Sequence, residues 1–191
     1  MKKITLLAAA VLMSATVFAQ TWKVNKYHSH FTFTITHLAV SDVDGAFKDF
    51  DATITSSKPD FSDAQFSFTA NTASVNTGVD ARDNHLKSPD FFDVAKYPTV
   101  TFTSTSIKPA GSPNKYKLTG NLTLNGVTKP VILDLWYRGT ITNPMSKAPD
   151  AGFSVTGSIN RSDFTFGSKF GSPMLSDEVD FKASGEFDKV N

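Results

Sequence analysis

The sequence predicts an all-β protein, an extended eight-stranded antiparallel β-barrel with one short helical insert. Three observations support this fold class: apolar and polar side chains alternate in eight segments, turn-forming residues separate the segments, and a single segment has helical character. Eight antiparallel strands close most naturally into a barrel, because closure removes the exposed edges of a flat sheet. The interior of such a barrel has room for one small ligand.

The alternation is clearest in residues 30–37. One face of this segment carries Phe31, Phe33, Ile35 and His37, and the other carries three threonines. This pattern is typical of a strand with one buried and one wetted face. Similar alternation predicts further strands over residues 46–55, 65–72, 99–106, 116–124, 131–137, 153–157 and 179–187. Several runs reach about ten residues, so at roughly 3.3 Å per residue the barrel is long enough for an extended chain.

Turn and stop signals separate the predicted elements. Asn125-Gly126 lies between two alternating runs and predicts a tight hairpin. Residues 80–88 form the predicted helix, and Pro89 ends it because the residue before a proline disfavours helical geometry.

The apolar faces are rich in phenylalanine. The chain has 17 Phe against 4 Tyr and 2 Trp, and phenylalanine brings bulk without a hydrogen-bonding group. Three glycines interrupt these faces, at Gly120, Gly157 and Gly185, where a missing side chain either bends the sheet or leaves space for a ligand. We therefore interpret the faces as the lining of an apolar interior.

The opposite orientation, with the apolar faces outward, would describe an outer-membrane barrel. Two features favour a water-facing shell instead. The strands are flanked by charged residues such as Lys58, Asp60 and Lys108, and the aromatic residues lie in mid-strand and not in girdles at the strand ends.

Residues 1–19 are predicted to be a signal peptide. Two lysines precede an apolar run that is shorter than the roughly 20 residues of a membrane span, and Val17-Phe18-Ala19 fits a cleavage site. The domain is then residues 20–191, in the periplasm or secreted, with no membrane span. Loss of Lys2 and Lys3 changes the net charge from +1 to −1, which gives no electrostatic reason to bind nucleic acid.

The histidines are the first candidates for chemistry. His28 and His30 lie two residues apart, but no further ligands are nearby, so we predict no metal site and interpret both as surface histidines. His37 shares a face with phenylalanines. Its ring would either meet a ligand head group at the barrel mouth or be satisfied by a backbone carbonyl in the core.

Arg82, Asp83 and His85 form the densest polar cluster. Three roles remain open: the cluster anchors the helix to the barrel, Arg82 and His85 together hold an anionic or carbonyl head group, or His85 and Asp83 act in acid–base catalysis. No nucleophile elbow or phosphate-binding glycine loop is present. We therefore assign no catalytic residue and no cofactor.

Several motifs occur in one order along the chain. They are residues 22–29 (WKVNKYHS), His37-Leu38, 45–47 (GAF), 80–93 (DARDNHLKSPDFFD), 97–102 (YPTVTF), 120–129 (GNLTLNGVTK) and 160–164 (NRSDF). Together they resemble the YceI-like family of polyisoprenoid-binding proteins over essentially the whole mature chain. Two positions differ from the usual family pattern: Asn25 replaces an Asp near the predicted barrel entrance, and Thr165 replaces a Gly at a turn.

The resemblance implies a lipocalin-like, periplasmic or secreted barrel that carries or sequesters a polyisoprenoid, an isoprenoid quinone or a similar long-chain lipid. The alternatives are an enzyme that modifies such a lipid through Arg82, Asp83 and His85, and a stress-related structural protein with an incidental cavity. The sequence is also compatible with a homodimer. The predicted ligand contacts are Phe31, Phe33, Ile35, His37, Phe66, Phe68, Arg82, His85, Leu86, Phe91, Phe92, Phe102, Leu122 and Phe164.

Overall fold

The computed structural model describes residues 19–190, so the predicted signal peptide lies, apart from Ala19, outside the described residues. The chain forms eleven strand segments and one α-helix. The strands are β1 Gln20–Val24, β2 His30–His37, β3 Ser41–Phe47, β4 Phe50–Ser56, β5 Gln65–Asn71, β6 Val75–Asn76, β7 Thr99–Pro109, β8 Lys115–Leu124, β9 Val127–Thr142, β10 Pro149–Asn160 and β11 Leu175–Val190. The helix is α1 Asp80–Lys87.

The eleven segments make up eight continuous strands of a closed antiparallel barrel, as predicted. Segments β1 and β2 follow each other along one edge of β11, β3 and β4 form the next strand, and β5 with β6 the third. The remaining strands β7 to β11 pair in chain order, and pairing of β11 with β1 and β2 closes the barrel.

The strands differ from the predicted ones in two places near the start of the domain, and β9, β10 and β11 are longer than predicted. The strand predicted over residues 46–55 is broken between Phe47 and Phe50, and β1 had not been predicted at all. In both places the path changes direction: a 3-10 turn at Lys26–His28 separates β1 from β2. The predicted helix over 80–88 is confirmed, with Ser88 as its C-terminal cap.

The connections divide between the two ends of the barrel. One end carries α1, the tight β2–β3 and β8–β9 turns, and the long β10–β11 loop; we call it the mouth. The other end carries the β4–β5 loop and both chain ends of the domain; we call it the floor. No helix within residues 19–190 is both long and apolar enough to cross a bilayer.

The burial of the core side chains also differs between the two ends of the barrel. Towards the floor the apolar side chains are almost fully buried: Ile54 and Leu135 are 0% and 1% exposed. In β2, Phe31, Phe33 and Ile35 point into the barrel but are only half-buried. Since protein interiors are normally close-packed, these rings border a space that the chain does not fill.

Glycines on the apolar faces do not leave space for a ligand. A Cβ atom on Gly120 would clash with the ring of Phe102, and one on Gly45 with the ring of Phe33. The tip of each ring occupies the place where a side chain of the glycine would lie. A Cβ atom on Gly157 or Gly185 would likewise clash with the side chain of Leu133 or Ser29.

Candidate functional site

A cavity of about 490 Å³ occupies the barrel from the mouth to a layer of aromatic rings near the floor. This volume is within the range of roughly 300–1,000 Å³ for small-molecule sites. All but one of the residues predicted to contact a ligand line it: Phe31, Phe33, Ile35, His37, Phe66, Phe68, Arg82, His85, Leu86, Phe91, Phe92, Phe102 and Leu122.

Phe164, the remaining predicted contact, is placed elsewhere. Its side chain is 1% exposed and belongs to the packed core, and it is not part of the cavity lining. It follows β10 as the last residue of a short 3-10 helix, Arg161–Phe164. The structure gives Phe164 a packing position.

The wall of the cavity is built from facing phenylalanines. The rings of Phe31 and Phe68 meet edge to face with centroids 4.8 Å apart, and Phe31 stacks on Phe47 at 5.4 Å. In register, Phe68 pairs with Phe102, and Phe102 with Leu122. Because directly paired residues share a face of the sheet, these side chains form a continuous apolar surface.

Helix α1 brings Arg82 to the mouth. Arg82 Nε donates to Thr77 Oγ1 at 2.7 Å, and Nη2 donates to the Thr77 carbonyl oxygen at 2.9 Å. A guanidinium has five N–H donors, and within residues 19–190 the other three have no partner and Arg82 has no ion pair. The side chain is half-buried and borders the cavity.

Asp83 anchors the helix and does not face the cavity. Its carboxylate accepts hydrogen bonds from the Thr77 amide at 2.8 Å and the Thr77 hydroxyl at 2.6 Å, with Asn76 Nδ2 at 3.4 Å. The side chain is 5% exposed. Thr77 therefore joins Arg82 to Asp83. Of the three roles that the sequence left open, the structure shows the first, in which the cluster anchors α1 to the barrel.

His85 pairs with a carboxylate other than Asp83. Its Nε2 lies 3.3 Å from Asp90 Oδ2, and Lys169 Nζ lies 2.5 Å from Asp90 Oδ1. Hydrogen bonds from Lys169 and His85 lower the pKa of Asp90 below its usual value. The catalytic alternative requires His85 and Asp83 to converge on a substrate, and of the two only His85 borders the cavity.

His37 and Met174 complete the rim. His37 lines the cavity at the end of β2, and its ring has no hydrogen bond to any residue between 19 and 190. Met174 is 46% exposed, and its carbonyl oxygen accepts from the Leu38 amide at 3.0 Å. The mouth thus presents both polar rings and accessible apolar side chains.

The two histidines near the start of β2 have different surroundings. His28 ends a 3-10 turn and its Nδ1 lies 3.0 Å from Glu186 Oε2, whereas His30 is the exposed first residue of β2 and borders the cavity. Over residues 19–190 the structure contains no cluster of three or more side chains suited to a metal ion.

Sequence reasoning missed Arg161, the strongest polar feature near the cavity. The guanidinium is 4% exposed and borders the cavity wall. All five of its N–H donors bind backbone carbonyl oxygens of the β10–β11 loop and the start of β11, namely those of Phe166 (3.1 Å), Gly167 (2.8 Å), Phe170, Leu175 (3.3 Å) and Ser176 (2.8 Å). Arg161 therefore shapes the loop and has no donor left for a ligand.

The loop that Arg161 holds also supplies aromatic rings that the sequence analysis did not select. Phe170 stacks on Phe91 with centroids 5.0 Å apart, and Phe166 packs against Phe92 at 4.6 Å. The signal was present in the sequence as three phenylalanines within seven residues at 164–170.

The two departures from the family pattern are both accommodated. Asn25 Oδ1 accepts from the Tyr27 amide at 3.1 Å and so caps the 3-10 turn in the barrel wall, away from the mouth. Thr165 adopts a left-handed conformation with φ +51°, which costs a non-glycine residue roughly 1–2 kcal/mol. The turn keeps the geometry that favours glycine.

Comparison with known proteins agrees with this architecture. The YceI-like domain matches residues 22–187. The chain belongs to this family. Protein YceI of Salmonella newport (strain SL254) is 40% identical over 182 residues, which cover 94% of this chain and 93% of that protein.

Solved structures of YceI-like proteins share the fold. The Campylobacter jejuni YceI protein is 33% identical, with a TM-score of 0.74 and full coverage of both chains. Burkholderia cenocepacia BcnA is 27% identical, with a TM-score of 0.74 over 85% of this chain and 98% of that one. A polyisoprenoid binding domain from Saccharophagus degradans, implicated in plant cell wall breakdown, is 15% identical, with a TM-score of 0.67 over 89% of this chain and 98% of that one.

Proposed function

We propose that this YceI-like protein binds one long-chain amphiphile, a polyisoprenoid, an isoprenoid quinone or a similar lipid, and carries or sequesters it. The tail lies in the barrel and the head group at the mouth. One observation carries the proposal: the interior is a cavity of about 490 Å³ with a wall of phenylalanine rings and polar side chains gathered at its rim. The predicted signal peptide supports export to the periplasm or beyond.

The affinity would come from the tail. Each buried methylene group contributes about 0.8 kcal/mol, so ten of them provide on the order of 8 kcal/mol before the cost of ordering the chain. The Phe31, Phe68 and Phe102 rings offer no hydrogen bond, so they accept any apolar tail equally. Discrimination between lipids would have to come from the head group.

We propose that Arg82 binds the head group and selects among lipids. Three of its N–H donors point to no residue in the described part of the chain, and a planar guanidinium can bind two oxygens at once. His85 is less available because its Nε2 already faces Asp90, and Arg161 has no free donor. The natural partner is an oxygen-rich head such as a phosphate, carboxylate or quinone carbonyl.

Binding without turnover fits the polar groups better than catalysis does. Asp83 is buried, accepts hydrogen bonds from Thr77 and does not border the cavity, so it is not placed to act with His85 on a lipid held there. A lipid recovered chemically unchanged after long incubation with the protein would support carriage. Steady conversion of the lipid would contradict it.

The main experiment is lipid extraction from protein purified from its native host, followed by mass spectrometry. We expect a long-chain amphiphile in the wild type and a loss of at least tenfold in the bound amount in Phe68→Arg, because an unpaired charge in the apolar wall admits water. Gln65→Arg is the matched control, since Gln65 is exposed on the same strand and lies outside the lining. An empty wild-type barrel that takes up no quinone, isoprenoid or acyl chain would refute the proposal.

The same extraction tests Arg82. In Arg82→Ala the total bound lipid should fall less than threefold while the distribution of head groups changes, because the tail contacts remain. A melting temperature that drops steeply, with an unchanged distribution of lipids, would instead make Arg82 purely an anchor for α1 through Thr77.

A further inference from the structure

Phe153 lies at the closed end of the cavity, where the neighbouring rings of Phe66 and Phe187 also border it. Its ring borders the cavity, yet the residue is only 2% exposed. It contacts four other aromatic rings, with centroid distances of 4.9 Å to Phe61, 5.3 Å to Tyr137, 5.5 Å to Phe187 and 5.7 Å to Phe66. Phe153 is therefore where the open interior meets the packed core.

The layer below Phe153 is closed. Trp22, Phe61 and Tyr137 are 5%, 2% and 8% exposed, and none of them borders the cavity. Phe61 lies 5.3 Å from Trp22 and 4.9 Å from Tyr137. A chain that reached Phe153 from the mouth would find no free volume beyond it, because rings at these distances leave no gap for a methylene group.

The closing layer is held in place by polar contacts of the β4–β5 loop, which carries Phe61. Asp63 accepts hydrogen bonds from the hydroxyls of Ser56 and Ser57 and from the amides of Ser57 and Lys58, and the Tyr116 hydroxyl donates to the Asp60 carbonyl oxygen at 2.8 Å. These bonds fix the loop on both sides of Phe61. The floor is thus built to stay closed when the cavity is filled.

We infer that Phe153 determines the longest tail that the protein can bury, and that it is the specificity-determining residue for chain length. This rests on the proposed function, since it concerns the tail of the bound amphiphile. Up to the limit, every added methylene group should tighten binding about fourfold. Beyond it, the added carbons must remain at the mouth in water, and the affinity should stop rising.

The test uses linear primary alcohols of increasing length as probes, displacing a fluorescent apolar dye from lipid-free protein. For the wild type we expect log Kd to fall with chain length and then reach a plateau. Phe153→Ala removes six carbon atoms from the closed end of the cavity, so the plateau should move by about five carbons, as many as one isoprene unit contains. Phe153→Leu removes three and should move it by about half as much.

Phe164→Leu is the matched control. Phe164 is as deeply buried as Phe153, at 1% exposure, but lies outside the cavity lining. The Phe164→Leu variant should lose about as much stability as Phe153→Leu, but its affinity should reach a plateau at the same chain length as in the wild type. If Phe153→Ala does not fold, comparison of Phe153→Leu with the wild type still shows whether the plateau depends on the side chain at position 153.

Two results would overturn the inference while leaving lipid binding intact: a wild-type affinity that keeps rising with length, or a plateau unchanged in Phe153→Leu. A wild-type protein that binds none of the alcohols, and none of the quinones or isoprenoids tried beside them, would refute the proposed function itself. The failures of the two proposals are therefore distinguishable.

Discussion

The two ends of the barrel are built from the same residue type and behave differently. At the floor, Phe61 packs against aromatic neighbours on several sides and is 2% exposed. At the mouth, Phe170 stacks on Phe91 at 5.0 Å but remains half-buried, and the nearby Met174 is 46% exposed. Phenylalanine therefore fills the interior at the floor and lines an open cavity at the mouth. The difference arises because further rings cover Phe61, whereas Phe170 is partly open to solvent.

The loops at the two ends are also held by opposite charges. At the floor a carboxylate, Asp63, collects N–H and O–H donors from residues 56–58. At the mouth a guanidinium, Arg161, donates to three carbonyl oxygens of the β10–β11 loop and two at the start of β11. Each satisfies backbone groups that a loop leaves unpaired.

The largest expected contrast is in packing energy. Phe61→Ala should lower the free energy of unfolding by about 3–5 kcal/mol, because it empties a closed aromatic layer. Phe170→Ala should cost only about 1–2 kcal/mol, since its ring is already partly in water. Urea denaturation of both variants measures the difference. Equal losses would mean that the mouth is packed as tightly as the floor.

A smaller effect on stability depends on pH, and it comes from Asp63 at the floor. Burial alone would raise the pKa of Asp63, but hydrogen bonds from Ser56, Ser57 and Lys58 outweigh it and lower that pKa from 3.8 to about 2. A lowered carboxylate pKa stabilises the fold above the unfolded value near 4, and this stability is lost as the pH falls towards 2. Because the carboxylate is partly screened by solvent, we expect its ionisation to contribute about 1 kcal/mol to the free energy of unfolding.

Asp63→Asn isolates this effect. The variant should be less stable than the wild type by about 1–2 kcal/mol at pH 7, and the difference should shrink between pH 4 and pH 2. Asp51→Asn, at an exposed position on neighbouring β4, is the control. A difference that stays constant with pH would show that Asp63 acts through shape and not through its charge.

The sequence predicted the barrel because its information is local and periodic. Alternation at every second residue assigns Phe31, Phe68 and Phe102 to one face without knowledge of their neighbours. The same rule missed β1, because the turn at Lys26–His28 interrupts the period before a second strand can be recognised.

The polar part of the site depended on contacts that periodicity does not encode. His85 pairs with Asp90 beyond the end of α1 and not with Asp83, which lies closer in sequence. The five partners of Arg161 are backbone carbonyls in an irregular loop and at the start of β11, and any residue type could supply them. Such contacts leave no compositional signal, so they could be read only from the structure.

The closed floor has a kinetic consequence for a lipid held as we propose. Within residues 19–190, Phe153 and the layer of Trp22, Phe61 and Tyr137 close one end of the cavity, so we expect a lipid to enter and leave at the mouth. One tail must withdraw before another can enter, so exchange proceeds through the empty protein. At saturation its rate equals the dissociation rate and does not increase when more incoming lipid is supplied.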